Sequence, residues 1–269
     1  MAKQQIEILD FNLFHDVIKA TVKLVSSAKI MVGPTGLEIY GARDRTARCE
    51  IVSNSIFSNE NISFSIENMQ MFLKIISTVK EIHENDYTGL KFFIDMPFVR
   101  FESKKFKTKY STCNEDVIGA WISKKFETIL TPIFEFTSSA DFIKKINNHS
   151  FMFSDPKNAR VYLETKSDME NNAVFATLGN KETELNNEIT IKFGLVTKGS
   201  LIEKDDNGLV INERHIILDL ERLNLFNAIQ TSEIKFSFMS INCLVSKTVI
   251  YGKNDSFFNL NIYSTVLKS

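Results

Sequence analysis

The chain has 269 residues, 43% of them hydrophobic, with 32 Lys plus Arg against 33 Asp plus Glu. That length buries one large core or two ordinary ones, and a near-neutral charge excludes a wholesale basic domain, so any contact with nucleic acid must use local charge. Cys49, Cys113 and Cys243 are odd in number and widely separated, which excludes a disulfide framework and a zinc spacing. The first ten residues lack a long apolar region and no run approaches about 18 apolar residues, so neither a signal peptide nor a membrane span is expected. The expectation is a reduced, soluble, intracellular protein.

A short extended run, Ile6 to Leu9, leads into an amphipathic helix. Asn12 is its expected cap, and Leu13, Phe14, Val17, Ile18, Thr21, Leu24 and Val25 recur every three or four positions. His15, Asp16, Lys19 and Lys23 fall on the opposite face. Lys29–Val32, Leu37–Tyr40 and Arg48–Val52 read as strands, with Gly36 supplying the positive φ of a tight turn. Ala42 to Arg48 is the densest basic run. A strand at Ile62–Ile66 enters a second helix near Glu67, apolar at Met69, Phe72, Leu73, Ile76 and Val79 and polar at Gln70, Lys74, Ser77 and Thr78. Three runs, Leu90–Ile94, Phe98–Ser103 and Lys107–Cys113, alternate in part and read as antiparallel strands. Residues 114–130, with the one tryptophan, Trp121, fit neither period and are expected to connect two domains.

The plan then repeats. Asp141-Phe142-Ile143-Lys144 echoes Asp16-Val17-Ile18-Lys19, and a repeat this long means a duplicated domain rather than a solenoid. The expected boundaries are 1–130, with the connector at 114–130, and 131–269. The second copy predicts a strand at Ile133–Phe136, a helix at Ser139–Asn148, and strands at Phe151–Ser154, Ala159–Thr165, Ala173–Leu178 and Ile189–Phe193. A polar excursion from Lys198 to Glu213 holds Asp205-Asp206-Asn207-Gly208, a loop tip by composition. Ile216–Leu218 runs into a helix at Asp219–Ile229, and Ile234–Met239, Val245–Tyr251 and Phe257–Thr265 close the chain. The fold class is therefore α+β, with two similar domains, each with two helices packed on antiparallel sheets.

No catalytic constellation emerges. His15, His83, His149 and His215 are scattered, without a two-His metal spacing, and there is no phosphate loop or nucleophile elbow. Asp205-Asp206 sits in a turn, not in an acid/base dyad. No enzyme, cofactor or metal is expected. What stands out is the outward face of four helices, where Lys19, Lys23, Lys74, Lys144, Lys145 and Arg222 outnumber carboxylates. Taken singly, such lysines are ordinary solvent residues. Together they supply a sequence-independent grip on duplex phosphates.

Gly36-Leu37-Glu38-Ile39-Tyr40 before Asp44, then Asn68-Met69 to Lys74 on a second helix, resembles the first domain of DNA polymerase sliding clamps of the proliferating-cell nuclear antigen and T-even phage type. Leu220-Glu221-Arg222-Leu223-Asn224-Leu225-Phe226 resembles the last helix of such clamps, and Leu178-Gly179-Asn180 a strand turn. The resemblance spans nearly the whole chain through short motifs. Two departures are a charge that is not strongly acidic and an apparent insertion at 198–213. The resemblance implies the DNA clamp fold and a homotrimer closing a pseudo-six-fold ring around duplex DNA. It further implies a processivity factor that tethers a DNA polymerase, with a clamp loader as a further partner and no membrane. A viral or phage replication protein in the host cytoplasm, or a nuclear one in a eukaryote, would fit. By position it places the subunit interface at Lys109, Tyr110 and Ser111 and at Val174, Phe175 and Thr177. It places a partner-peptide pocket at Ala42, Ala47, Ile129, Leu130, Ile133, Thr265, Val266 and Leu267. The rival readings are a β-rich phage tail or capsid component, which gives no reason for helix-borne lysines, and a single-strand DNA-binding protein, which needs exposed aromatics on a basic groove.

Overall fold

The computed structural model describes residues 4–43, 47–119, 131–149, 160–165, 172–179, 189–207, 209–214, 216–219, 233–240 and 243–265. They fall into two compact units, Met1–Glu127 with Val249–Ile262, and Thr128–Thr248 with Tyr263–Ser269. A stretch near the chain end thus returns to the first unit.

The first unit begins with β1 (Gln4–Ile8) and α1 (Phe11–Leu24). The cap of α1 is Asp10, not Asn12: Asp10 has extended backbone and its carboxylate accepts from the Leu13 N–H at 2.9 Å. Asn12 lies inside the first turn and accepts from the Tyr87 hydroxyl at 2.9 Å. The apolar stripe is buried as its spacing demands, with Val17 and Ile18 fully covered. Then follow β2 (Ala28–Gly33), β3 (Gly36–Arg43), β4 (Ala47–Ser53), a short β5 (Ile56–Phe57) and β6 (Ile62–Ile66). Gly36 has φ of 118°, and a Cβ there would stand 2.3 Å from the Ser53 carbonyl oxygen, so the tight β2–β3 turn requires glycine.

Helix α2 (Met69–His83) starts two residues after Glu67, because Asn68 caps it through the Met71 N–H at 2.9 Å. It ends at Glu84, a non-glycine in the left-handed region with φ of 49°. Glu84→Gly is therefore expected to stabilise the protein by about 0.5–1 kcal/mol, since only glycine takes this conformation without Cβ strain. Urea unfolding of the two forms checks it. Strands β7 (Lys91–Asp95), β8 (Phe98–Glu102) and β9 (Lys107–Ser111) and a helical turn α3 (Glu115–Ile118) complete the unit. The remainder of the expected connector, including Trp121, lies outside the described residues.

These strands lie in two sheets, the run β6–β2–β3–β4, which continues past β4 with a strand from near the chain end, and β5–β1–β7–β8–β9. The second sheet packs phenylalanines under α1: Phe92 and Phe101 stack at 4.5 Å, and Phe14 and Phe11 close on them at 5.9 and 6.2 Å. Such rings bury large apolar areas and dominate core energetics.

The second unit holds β10 (Pro132–Ser138), α4 (Ala140–Asn148), β11 (Arg160–Glu164), β12 (Ala173–Gly179), β13 (Ile189–Gly199), β14 (Ile202–Lys204), β15 (Val210–Glu213), β16 (Ile216–Asp219) and β17 (Ile234–Met239). The hairpin of β18 (Cys243–Tyr251) and β19 (Phe257–Thr265) begins here and gives its tip to the first unit. Three expectations are corrected. The strand from Ile189 runs on to Gly199. The excursion at 198–213 is not all loop: β14 and β15 pair as a hairpin, and Asp205 closes its tip by accepting from Asn207 and Leu209 N–H. Asp219 ends a strand instead of starting a helix. The expected strand at Phe151–Ser154 and the helix after Asp219 lie outside the described residues.

The duplication is visible in the pairing. β2 pairs with β6 and β3, and β11 pairs with β16 and β12, so β11 and β12 are the counterparts of β2 and β3. β13 takes the places of β4 and β5 together: Ile189–Leu195 pair with β12, and Gly194–Gly199 pair with β10, as β5 pairs with β1. Consequently β12 is an interior strand with every residue buried. Phe175 and Thr177, expected at a sheet edge, are already paired on both sides, and Val174 pairs with Gly194.

Candidate nucleic-acid interface

Helices α1 and α2 pack together in the first unit, joined across their polar flank by His15 Nε2 and Ser77 Oγ at 3.2 Å. Their outward residues follow from the caps. With Asp10 fixing the phase of α1, Lys19 and Lys23 are exposed one turn apart, and on α2 Lys74 is exposed with its carbonyl accepting from Thr78 at 3.0 Å. Among the described residues none of these three lysines is ion-paired. Lys23 and Gln70 border a groove of about 830 Å³ that also includes Glu67 and Asn68. Burial pushes the Asp16 carboxyl upward, but the His15 hydrogen bond and the charges of Lys80, His15 and Lys19 outweigh it and hold the group below its ordinary range. Asp16 is thus an anion inside a cationic neighbourhood. Lys80 was not singled out in the sequence, although Ser77 and Lys80 share a flank at three-residue spacing, facing His15 and Asp16.

In the second unit Ser139 caps α4, accepting from the Phe142 N–H. Lys144 stands 3.5 Å from Asp141, and Lys145 lies over the Phe142 ring at 5.3 Å. Both lysines are exposed, and an exposed pair of this kind is worth well under about 1 kcal/mol, so neither charge is committed. Arg222 lies outside the described residues.

The remaining expected site residues divide. Lys109, Tyr110 and Ser111 belong to β9, which is an edge strand. Ala42 and Ala47 are buried at the end of the β3–β4 hairpin, and Ile133 is half-buried on β10. Thr265 ends β19. Ile129, Leu130, Val266 and Leu267 lie outside the described residues. His83 is buried and bonded to the Asp86 carbonyl and Ser103 hydroxyl, and no group of His, Cys, Asp or Glu among the described residues could hold a metal. Burial raises the Cys49 thiol to about 12 and the Cys243 thiol to about 11, which keeps both protonated and inert. No described helix is long and apolar enough to cross a membrane.

Paired caps, two helices on antiparallel sheets and the same strand plan twice define the DNA clamp fold of sliding clamps. The chain is similar over 98% of its length to 99% of the A. fulgidus proliferating-cell nuclear antigen chain in a complex with the C-terminal region of FEN-1, at 12% identity and TM-score 0.68. It matches the Entamoeba histolytica proliferating cellular nuclear antigen over 99% of this chain and 98% of that one, at 13% identity and TM-score 0.65. A chain of the Sulfolobus tokodaii PCNA2–PCNA3 complex matches over 98% and 99%, at 10% identity and TM-score 0.60. No protein-family model and no curated protein sequence matches the chain.

Proposed function

We propose that the protein is a sliding clamp, a processivity factor that encircles duplex DNA as a ring of three chains and tethers a DNA polymerase, with a loader to open it. The observation that carries this reading is a pair of open edges. In the first unit the edge of β4 is covered by β19, with Phe257 bonded to Asn54 and Ser53. By the internal repeat, β9 is the counterpart of β19, and Ile189–Phe193 of β13 is the counterpart of β4. Among the described residues, no strand covers β9 beyond β8, or Ile189–Phe193 on the side away from β12. The pairing made once within the chain is therefore available once between chains, head to tail, and such heterologous pairing closes when the rotation per subunit fits a ring. Three chains of two units give the pseudo-six-fold arrangement. A polymerase held on such a ring rebinds before it diffuses away, through effective concentration alone.

The helix cations supply the inner wall. Reversing Lys19, Lys23, Lys74, Lys144, Lys145 and Arg222 to glutamate is expected to leave assembly intact and to weaken duplex binding. The slope of log affinity against log salt should flatten by roughly 0.9 for each phosphate that is no longer neutralised. Duplex retention that is unchanged by these reversals at low salt overturns the proposal.

A further inference from the structure

We infer that the outward face of the β7–β8–β9 sheet is a track for single-stranded nucleic acid, distinct from the helix lysines. The inference concerns the first unit alone and does not require a ring. Phe92, Ile94, Val99 and Phe101 are buried on the inner face of this sheet, so by alternation the residues between them share the outer face. Pairing sets them in rows: Lys91, Glu102 and Lys107 in one, and Phe93, Arg100 and Lys109 in the next. The β8–β9 turn adds Lys104 and Lys105. Six cations stand here against Glu7, Asp95 and Glu102 in a chain whose net charge is −1.

Two of those carboxylates are engaged within the sheet, Asp95 with Arg100 at 2.6 Å and Glu102 near Lys107 at 3.5 Å. Lys91, Lys104, Lys105 and Lys109 have no ion-pair partner among the described residues. Lys91, Lys104 and Lys105 border a concavity of about 630 Å³ that also takes in Asp86, Gly89 and Ser103. Asp86 accepts from the Thr88 N–H at 3.1 Å, and its Thr88 bonds with the charge of Lys105 hold its carboxyl below the ordinary range, so it offsets part of one lysine here. A concavity of this size suits a ligand as large as one nucleotide. From it the cations continue along β9, where Lys107 and Lys109 stand about 7 Å apart at two residues of strand rise.

The occupant follows from three features together. Successive positive charges along a line fit a polyanion rather than a single small anion. Aromatic rings share this face with them: Lys109 Nζ lies 4.8 Å over the half-buried Phe98 ring, and the largely buried Phe93 stands opposite Arg100. Cations that track a backbone beside aromatic faces that accept bases are the elements of single-strand binding. A paired duplex cannot turn a base into the concavity, and an acidic peptide has no use for the rings. Pairing along the β9 edge consumes backbone groups and leaves this face open.

The test is fluorescence anisotropy with a labelled 20-residue oligothymidylate, on wild type, a Lys91→Glu, Lys104→Glu, Lys105→Glu variant, and the corresponding glutamine variant. Circular dichroism verifies folding. The glutamate variant is expected to bind at least about tenfold more weakly at low salt, the glutamine variant to fall between, and the salt slope to drop by about 2, at 0.7 for each of three phosphates. A protein with Lys19, Lys23 and Lys74 reversed is expected to keep its oligothymidylate affinity, which separates this track from the proposed inner wall. Equal affinity in wild type and both triple variants overturns the inference. So does a wild type that binds polyglutamate in preference to oligothymidylate.

Discussion

Replacing Lys109 by proline is expected to give folded monomers of 30.8 kDa in place of the proposed ring of three chains. Successive N–H groups of an antiparallel strand point alternately toward and away from a given neighbour. Thr112 donates to the Pro97 carbonyl at 2.8 Å, toward β8, whereas Cys113 donates to Ser65 at 2.9 Å, on the other side. Carried back along β9, this parity turns Tyr110 and Thr108 toward β8 and Ser111 and Lys109 toward the open edge. Proline at Lys109 thus removes a donor that the folded chain does not use, at an edge position where proline is tolerated. Each subunit interface loses a ladder bond, worth about 1 kcal/mol, and meets the proline ring besides, and the effect recurs at all three interfaces of the ring. Light scattering at micromolar concentration is the measurement. A Lys109→Pro protein that stays at three chain masses on dilution would remove β9 from the interface. Tyr110 is the wrong position for this experiment: its N–H serves the β8 ladder, its ring packs 5.4 Å from Phe72, and its hydroxyl donates to the Asn68 carbonyl.

The second large effect is at Asp10. Its carboxylate is buried and accepts from the Leu13 N–H that starts α1 and, on the returning hairpin, from the Lys253 N–H at 3.0 Å and the Ser256 hydroxyl at 2.9 Å. Gly252 packs so closely that a Cβ there would lie 2.9 Å from Asp10 Oδ2. Asp10→Ala removes the cap, at about 1 kcal/mol, and leaves the hairpin donors without their acceptor, at about 1–3 kcal/mol more. A total near 2–4 kcal/mol corresponds to a fall in Tm of about 6–12 °C for a domain of this size. Asp10→Asn keeps an acceptor oxygen and is expected to recover part of the stability. A Tm unchanged in the alanine variant would show that the hairpin tip is held by its other bonds, those of Asn54 with Asp255 and Phe257.

The helices were legible because their signals are local. Apolar spacing placed α1, α2 and α4 to within a few residues, and with them the outward lysines. The repeat was legible too, though its phase was not. Measured from their caps, Asp141-Phe142-Ile143-Lys144 sits about one turn earlier in α4 than Asp16-Val17-Ile18-Lys19 does in α1. A whole turn preserves the face, which is why Ile18 and Ile143 are both fully buried despite the shift. Asp10 was missed as a cap because Asn12 is an equally good capping residue by type. Only the extended backbone at Asp10 decides between them.

Strand identity is a different matter, because pairing partners are distant in sequence. Alternation and apolar content located β11, β12 and the start of β13, yet they do not say which of the three ends a sheet. Among the described residues the run left open on one side is Ile189–Phe193, not the expected Val174, Phe175 and Thr177. The sequence by itself determined two copies of an α+β unit, the helices α1, α2 and α4 and the charge those three carry, since each rests on periods of two or 3.6 residues. Tertiary structure alone decided which strands end a sheet, that Val249–Ile262 rejoins the first unit, and that lysines from β7, the β8–β9 turn and β9 share one face. Those are properties of register between segments, and no local period encodes register.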